Sequence, residues 1–334
     1  MRELSPVLLF AYNRPEHTER TLKALADNAL AIHSRLVIFC DGPRTRNEAE
    51  NTRRVREIAR QAEGFRSVQV VERPSNLGLA QSIISGVTEV LEAHDTVIVL
   101  EDDLITSPFF LQYMNEALQL YADDEQVLSV CGYTFPVSGQ LPETFFLPGA
   151  FCWGWATWRR AWTLYEHDAE KLLAEIIRRN LIYEFDFRGT DPLAKILQMT
   201  VNRDARADSW ATRWMGTACI HGKMTLYPGR SLVENAGFDG SGRHANHERR
   251  FDTPLADRSP RVERLPLEVN ENVVRQHRNL FRQWRIGDDI ASRLYYRIAA
   301  LLPAAAEKYL YTRLVRRRLR RQATAAIARV IDGH

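Results

Sequence analysis

Short apolar runs alternate with helix-patterned segments through residues 6–104, and this alternation constrains the fold more than any other feature of the chain. Pro6–Tyr12, Arg35–Cys40, Ser67–Glu72 and Thr96–Leu104 read as strands. Between them a helix opens at Pro15 with Leu22, Leu25 and Ala29 on one side. A second spans Arg46–Glu63 with Val55, Ile58 and Ala62 aligned, and a third spans Leu77–Leu91 with Ile83, Val87 and Leu91 aligned. Four successive strand-helix units predict a mainly parallel, doubly wound α/β sheet with right-handed crossovers.

The fourth strand, TVIVLEDDL, carries the chemistry. Its unbroken apolar run fits a strand covered on both faces, and it emerges into Glu101, Asp102 and Asp103. Open α/β sheets bind ligands at these carboxyl ends. Three adjacent carboxylates repel one another unless a cation or hydrogen-bonding ligand lies among them. The alternative is an acidic loop in which Asp103 or Ser107 caps a helix begun by Pro108.

The 334 residues, 45% of them hydrophobic, suffice for one large domain. A formal charge of +3 is too small to imply a nucleic-acid partner. Cys40, Cys131, Cys152 and Cys219 are widely spaced and form no CxxC pair, so neither a disulfide framework nor a zinc site is expected. The N-terminal apolar run is short and lacks a small-residue cleavage site, and no 18 apolar residues occur in succession. Together these predict a cytoplasmic protein, peripheral on the inner face of the membrane if its tail binds lipid.

After a helix over Ser107–Tyr121 and a strand over Val127–Tyr133 the alternation stops. Phe145–Trp162, FFLPGAFCWGWATWRRAW, either lines a pocket or buries large rings in a core corner. Helices are expected over Asp168–Tyr183, over Asp191–Val201, and within Ala207–Met224 around Trp210 and Trp214. Tyr227–Asn246, with four glycines, reads as a mobile loop. Residues 251–288 read as a polar linker, and 289–334 as a basic amphipathic helical tail. That tail has an apolar face of Ile290, Leu294, Ile298 and Leu301, followed by Arg313, Arg316, Arg317, Arg318, Arg320 and Arg321. It fits an anionic membrane surface or a packed helix with a solvated charged face.

Several motifs fall in a telling order: Asn13-Arg14-Pro15 after the first strand, Asp41 after the second, NLGLA at 76–80, LEDDL, DSW at 208–210 and PGRSLVENAGFDGSGRH at 228–244. In this the chain, over residues 7–247, resembles the GT-A fold, family-2-like glycosyltransferases that use nucleotide sugars. It is most similar to the branch with a Glu-Asp-Asp metal motif, which includes the Golgi N-acetylglucosaminyltransferases. The resemblance implies a GT-A (Rossmann-like) domain over 1–250, with a donor half over 1–105 and an acceptor half over 106–250, followed by the helical C-terminal extension.

The resemblance also implies roles. Asp103 would ligate a divalent cation, Mn²⁺ or Mg²⁺, with His244 completing the site, and Asp102 and Glu101 would meet the ribose and the donor sugar. Asp41 would accept from the base, and Asn13, Arg14, Asn76 and Gly78 would lie along the nucleotide. Strand alternation would separate Asp102 from its neighbours, so the strand is expected to end at Leu100. Asp208 would be the general base of an inverting transfer, with Asp204 and Asp191 as fallbacks, although Ser209 departs from the family's second acidic position. Trp153, Trp155 and Trp210 would wall an acceptor pocket, and Gly237, Asp239, Gly240 and Gly242 would belong to a loop that closes over the donor. The acceptor implied is a glycan or lipid-linked glycan in surface polysaccharide synthesis.

Read without the resemblance, Asp41 is also a turn residue and Asp208 a helix cap. A sugar nucleotidyltransferase shares the α/β domain and the cation, but usually carries a glycine-rich loop where this chain has Ala-Tyr-Asn-Arg-Pro at 11–15. A glycan-binding protein derived from a transferase is the non-enzymatic alternative.

Overall fold

The computed structural model describes residues 3–204, 208–240, 249–288 and 290–333. Its first part follows the predicted alternation: β1 (Val7–Ala11), α1 (Pro15–Ala26), β2 (Arg35–Cys40), α2 (Ala49–Arg60), β3 (Ser67–Glu72), α3 (Leu79–Ala93) and β4 (Thr96–Glu101). The four strands pair in parallel in the order β3-β2-β1-β4. All of β1 and residues 97–100 of β4 are buried, as continuous apolar runs require when helices cover both faces.

The rest of the chain doubles the sheet and adds a helical layer. In order come β5 (Leu104–Thr106), α4 (Phe110–Leu120), β6 (Val127–Cys131), β7 (Thr144–Pro148), β8 (Trp155–Trp158), α5 (Arg159–Trp162), α6 (Ala169–Arg178), α7 (Ile182–Phe185), α8 (Leu193–Val201), α9 (Trp210–Ile220), β9 (Met224–Pro228) and β10 (Val233–Asn235). The eight-stranded sheet runs β3-β2-β1-β4-β8-β6-β9-β7, with β8 and β7 opposed to the other six strands. The fold is therefore a mixed, mainly parallel α/β sheet flanked by helices. A separate antiparallel ribbon pairs β5 with β10 and sets Asn235 opposite Leu104.

The aromatic stretch 145–162 is core. Most of β7 and all of β8 lie inside it, and Trp155, Trp158 and Trp162 are buried. Trp155 stacks on Trp210 at 5.3 Å between ring centroids and also meets Trp162 and Trp214. Trp155 and Trp210 thus have no free face for a sugar, which corrects the pocket expectation for both. Aromatic density marked the site of large-ring burial without saying whether one face stays wet.

Residues 251–288 are not a linker. The segment runs as a strap whose Ala256 N–H donates to Ser231 O (2.7 Å), whose Glu263 O accepts from Tyr121 Oη (3.0 Å) and whose Asn270 N–H donates to Phe146 O (2.9 Å). It ends in α10 (Glu271–Asp288), which buries Val273, Val274, His277 and Phe281 among Phe135, Phe145 and Phe187. Arginines and asparagines on the outer face dilute this apolar stripe in the sequence, and the prolines of the strap give an extended path.

The tail is equally integrated. α11 (Ile290–Ala299), α12 (Ala304–Arg320) and α13 (Ala325–Asp332) follow, and Leu319 and Ile327 join a second core with Leu172, Ile176 and Leu197. Buried Glu307 of α12 lies between Arg278 (2.8 Å) and Arg282 (2.6 Å) of α10. Tyr311 Oη donates to Asp186 Oδ2 at 2.6 Å. Leu294, Ile298 and Leu301 of the expected apolar face remain exposed. No helix among the described residues is long and apolar enough to cross a membrane.

His277 supplies a test of the α10 docking. Its Nδ1 donates to Val273 O at 2.9 Å, and burial lowers its pKa from 6.5 to about 4. The folded state thus resists a proton that the unfolded state accepts, so stability is complete above 6.5 and falls as pH drops toward 4. Between about pH 7 and about pH 5 this group removes about 2 kcal/mol of stability. Urea unfolding across that range should show His277→Leu losing this part of the pH dependence; an unchanged slope would place the histidine outside the core.

Candidate functional site

The carboxyl ends of β1 and β4 meet at one ion-paired cluster. β4 runs through Glu101, one residue past the expected end at Leu100, and Asp102 and Asp103 form the turn into β5. That turn removes the alternation problem, because both aspartates reach the same guanidinium. Arg14 Nη2 pairs with Asp102 Oδ1 and lies 2.9 Å from Asp103 Oδ2. Arg14 immediately precedes α1, where Pro15 starts the helix. Tyr12 N–H donates to Asp102 Oδ2 (3.3 Å), and Thr21 Oγ1 donates to the Asp102 carbonyl (2.8 Å). Since β5 follows directly, Asp103 is no cap for α4, whose capping position is Phe109.

Asp102 and Asp103 share one guanidinium with Glu101 unpaired beside them, and the charge deficit shows in the acidities. Burial, then Asp103 and Asp102, push the Glu101 carboxyl up to about 8, and burial raises Asp102 against the pull of Arg14. Among the described residues no hydrogen-bond donor reaches the Glu101 carboxylate. Such a site gains by accepting positive charge or a hydroxyl donor.

A loop lies directly over it. Ala236 N–H donates to Asp103 O (2.8 Å), and Asn235 Oδ1 accepts from Gly237 N–H (2.8 Å). A Cβ at Gly237 would overlap Asp103 Oδ2, so this close approach requires glycine. Asp239 Oδ2 lies 3.2 Å from His17 Nε2, which is also 3.3 Å from Ala236 O. Phe238 stacks on Phe251 at 4.7 Å and meets the edge of half-buried Trp153. Gly237, Asp239 and Gly240 therefore belong to the segment beside the carboxylates, with Trp153 behind it. Gly242 and His244 lie outside the described residues.

Asp41 departs from its expected role. It is buried, and its carboxylate accepts from Gly42 N–H, Leu77 N–H, Gly78 N–H and Asn76 Nδ2, all within 2.9–3.1 Å. A carboxylate has about four acceptor sites, so Asp41 here organises the loop 75–78 instead of presenting a free acceptor to a base. Asn76 and Gly78 are partners in that brace, and Gly78 takes a positive φ of 77° at the start of α3. Asn13 turns away to Glu48 Oε1 (3.3 Å).

Asp208 is not gathered into the cluster. It is 58% exposed, pairs with Arg213 Nη2 at 3.1 Å, and lines a cleft of about 460 Å³ with His167, Glu170 and Asp204, in which none of Glu101, Asp102 and Asp103 takes part. Ser209 caps α9 by accepting from Thr212 N–H (3.1 Å), so Asp208 is not the cap either. Asp191 pairs with Arg285 at 3.3 Å, and burial raises its pKa.

The sequence reading missed His17 and Thr21. The signal was present, since Arg14, His17 and Thr21 repeat at i, i+3 and i+7 along one side of α1.

No protein-family model matches the chain, and no curated protein matches it. Among solved structures, a UDP-glucose pyrophosphorylase complexed with UDP-glucose aligns over 48% of this chain and 79% of its own, at 12% identity and a TM-score of 0.28. Likeness at that level bears on neither the reaction nor its residues.

Replacing Arg14 by leucine should leave Asp102 and Asp103 uncompensated and cost about 3 kcal/mol of unfolding free energy at neutral pH. Losing the guanidinium raises the folded-state carboxyl pKa values, so the deficit should shrink as pH falls toward 5. Urea titration at both pH values checks this. A loss below about 0.5 kcal/mol, as at an ordinary surface position, would show that the pair does not hold the turn.

Proposed function

We propose that the chain is a divalent-cation-dependent, inverting glycosyltransferase that moves a sugar from a nucleotide-sugar donor to a glycan or lipid-linked glycan acceptor. The carrying observation is the Glu101-Asp102-Asp103 cluster at the end of β4, whose two aspartates share the Arg14 guanidinium and which is covered by a loop that touches Asp103. The donor set suits a hard cation: it offers carboxylate oxygens with unbalanced charge. Among the described residues no three His, Cys, Asp or Glu side chains converge to hold an ion alone. Mg²⁺ and Mn²⁺ sites of this kind use one or two carboxylates and take the remaining ligands from phosphate and water.

Asp103 would hold the cation, which when bound would offset the charge growing on the departing diphosphate. Arg14 keeps Asp102 and Asp103 aimed at one point and adds a fixed positive charge. Glu101, which no donor reaches among the described residues, would accept from a donor-sugar hydroxyl. The loop 236–240 shields this point from water that would hydrolyse the donor. Asp208 would take the proton from the acceptor hydroxyl. That role rests on the resemblance of the DSW segment at 208–210, since Asp208 lines a cleft that the three carboxylates do not line.

Calorimetric titration with UDP, GDP, CDP and dTDP, with and without Mn²⁺, tests the donor site without an acceptor. One nucleotide should bind only with the cation, and Asp103→Ala should weaken it at least about tenfold, the loss of one charged ligand. Asp208→Asn should bind that nucleotide normally while losing transfer about a hundredfold or more, the usual worth of a general base. Binding of none of the four would remove the site assignment. Consumption of a nucleoside triphosphate with pyrophosphate release would identify a sugar nucleotidyltransferase instead.

A further inference from the structure

A second opening lies in the helical layer and shares no residue with the carboxylate site. α12 and α13 meet α6 and the turn after it across a groove of about 840 Å³, lined by Arg178, Lys308, Arg313, Arg316, Arg317 and Arg320. Three of these cations are balanced: Arg178 by Glu175 (2.6 Å), Lys308 by Glu184 (2.5 Å) and Arg320 by Asp332 (3.0 Å). Among the described residues no carboxylate pairs with Arg313, Arg316 or Arg317.

Arg316 is the informative member. Its Nη2 donates to Ile177 O at 2.8 Å, which fixes the head in the groove wall, while its buried Nε has no partner. Burial, with no acid to offset it, lowers its pKa. Arg313 and Arg317 stand exposed on the same helix, and Arg313 reaches only the Tyr309 hydroxyl, at 3.5 Å. Three unbalanced guanidiniums around a concavity suit a phosphate, whose oxygens match their paired donors.

The surroundings indicate what carries the phosphate. Tyr309, an amphipathic ring, lines the groove and is exposed. Just before α12 the chain leaves Leu301 85% exposed, with Leu294 and Ile298 also uncovered. A basic groove and uncovered apolar side chains carried by successive helices of one layer are the composition of an element lying in a lipid interface, headgroups meeting the charges and acyl chains the leucines. We propose that this groove takes the phosphate headgroup of an anionic lipid and seats the helical layer on a membrane surface. The assignment stands or falls independently of the transferase reading.

Cosedimentation of the full chain with phosphatidylcholine vesicles, with and without phosphatidylglycerol, tests it. Wild type should bind only the anionic vesicles. Arg313→Glu with Arg317→Glu should weaken binding at least about tenfold, whereas Arg318→Glu with Arg321→Glu, the same charge change at exposed positions of the tail that do not line the groove, should stay within about twofold. Thermal unfolding of both pairs, and the milder Arg317→Gln, separate lost binding from lost fold. Equal weakening by the two pairs would mean diffuse attraction and overturn the groove. Equal binding to neutral vesicles would overturn it too. Tight binding of inorganic pyrophosphate without vesicle recruitment would make the occupant a soluble phosphate ester and overturn the lipid assignment.

Discussion

One guanidinium joins the neighbouring strands β1 and β4 at the end where chemistry is expected. Arg14 leaves β1 and enters α1, and its contact with Asp102 and Asp103 ties that turn to the end of β4. A mostly buried ion pair with fewer positive than negative charges adds little net stability, because desolvation consumes most of the attraction. Its value here is geometric. It holds two neighbouring carboxylates at one point against the alternation of the strand that delivers them, and it leaves Glu101 unbalanced beside them.

The loop on top depends on that arrangement. Ala236 and Gly237 follow the turn because Asp103 offers its carbonyl and because glycine leaves room for its carboxylate. His17 and Phe238 then fasten the loop to α1 and to the aromatic wall. Each fastening comes from a different part of the chain, so the covered site exists only once the whole domain is assembled.

The parts legible in the sequence were those fixed by local pattern. Continuous apolar runs between helix-forming segments specify β1 to β4, and the same pattern places the acidic residues at a strand end. Trp155 and Trp210 read ambiguously because ring density is the same in a core and in a sugar platform, and only packing against Trp162 and Trp214 separates the two. Asp41 read as a turn residue or a base acceptor because, Gly42 apart, the amides that occupy it come from residues 76–78, a full strand-helix unit later. α10 looked like linker because arginines flank its apolar stripe, and two of them, Arg278 and Arg282, find their partner in Glu307, a residue the sequence places in an unrelated helix.

The position of β8 also bears on how the protein is made. The strand sits between β4 and β6 but follows both in the chain. During synthesis the first four strands can assemble as soon as β4 emerges, yet its outer edge stays unpaired until Trp155–Trp158 arrives. An open edge of apolar strand is a template for another chain. The two halves of the sheet are therefore joined late, by a strand built around tryptophans, and the interval before it docks is when a nascent copy is most exposed to aggregation.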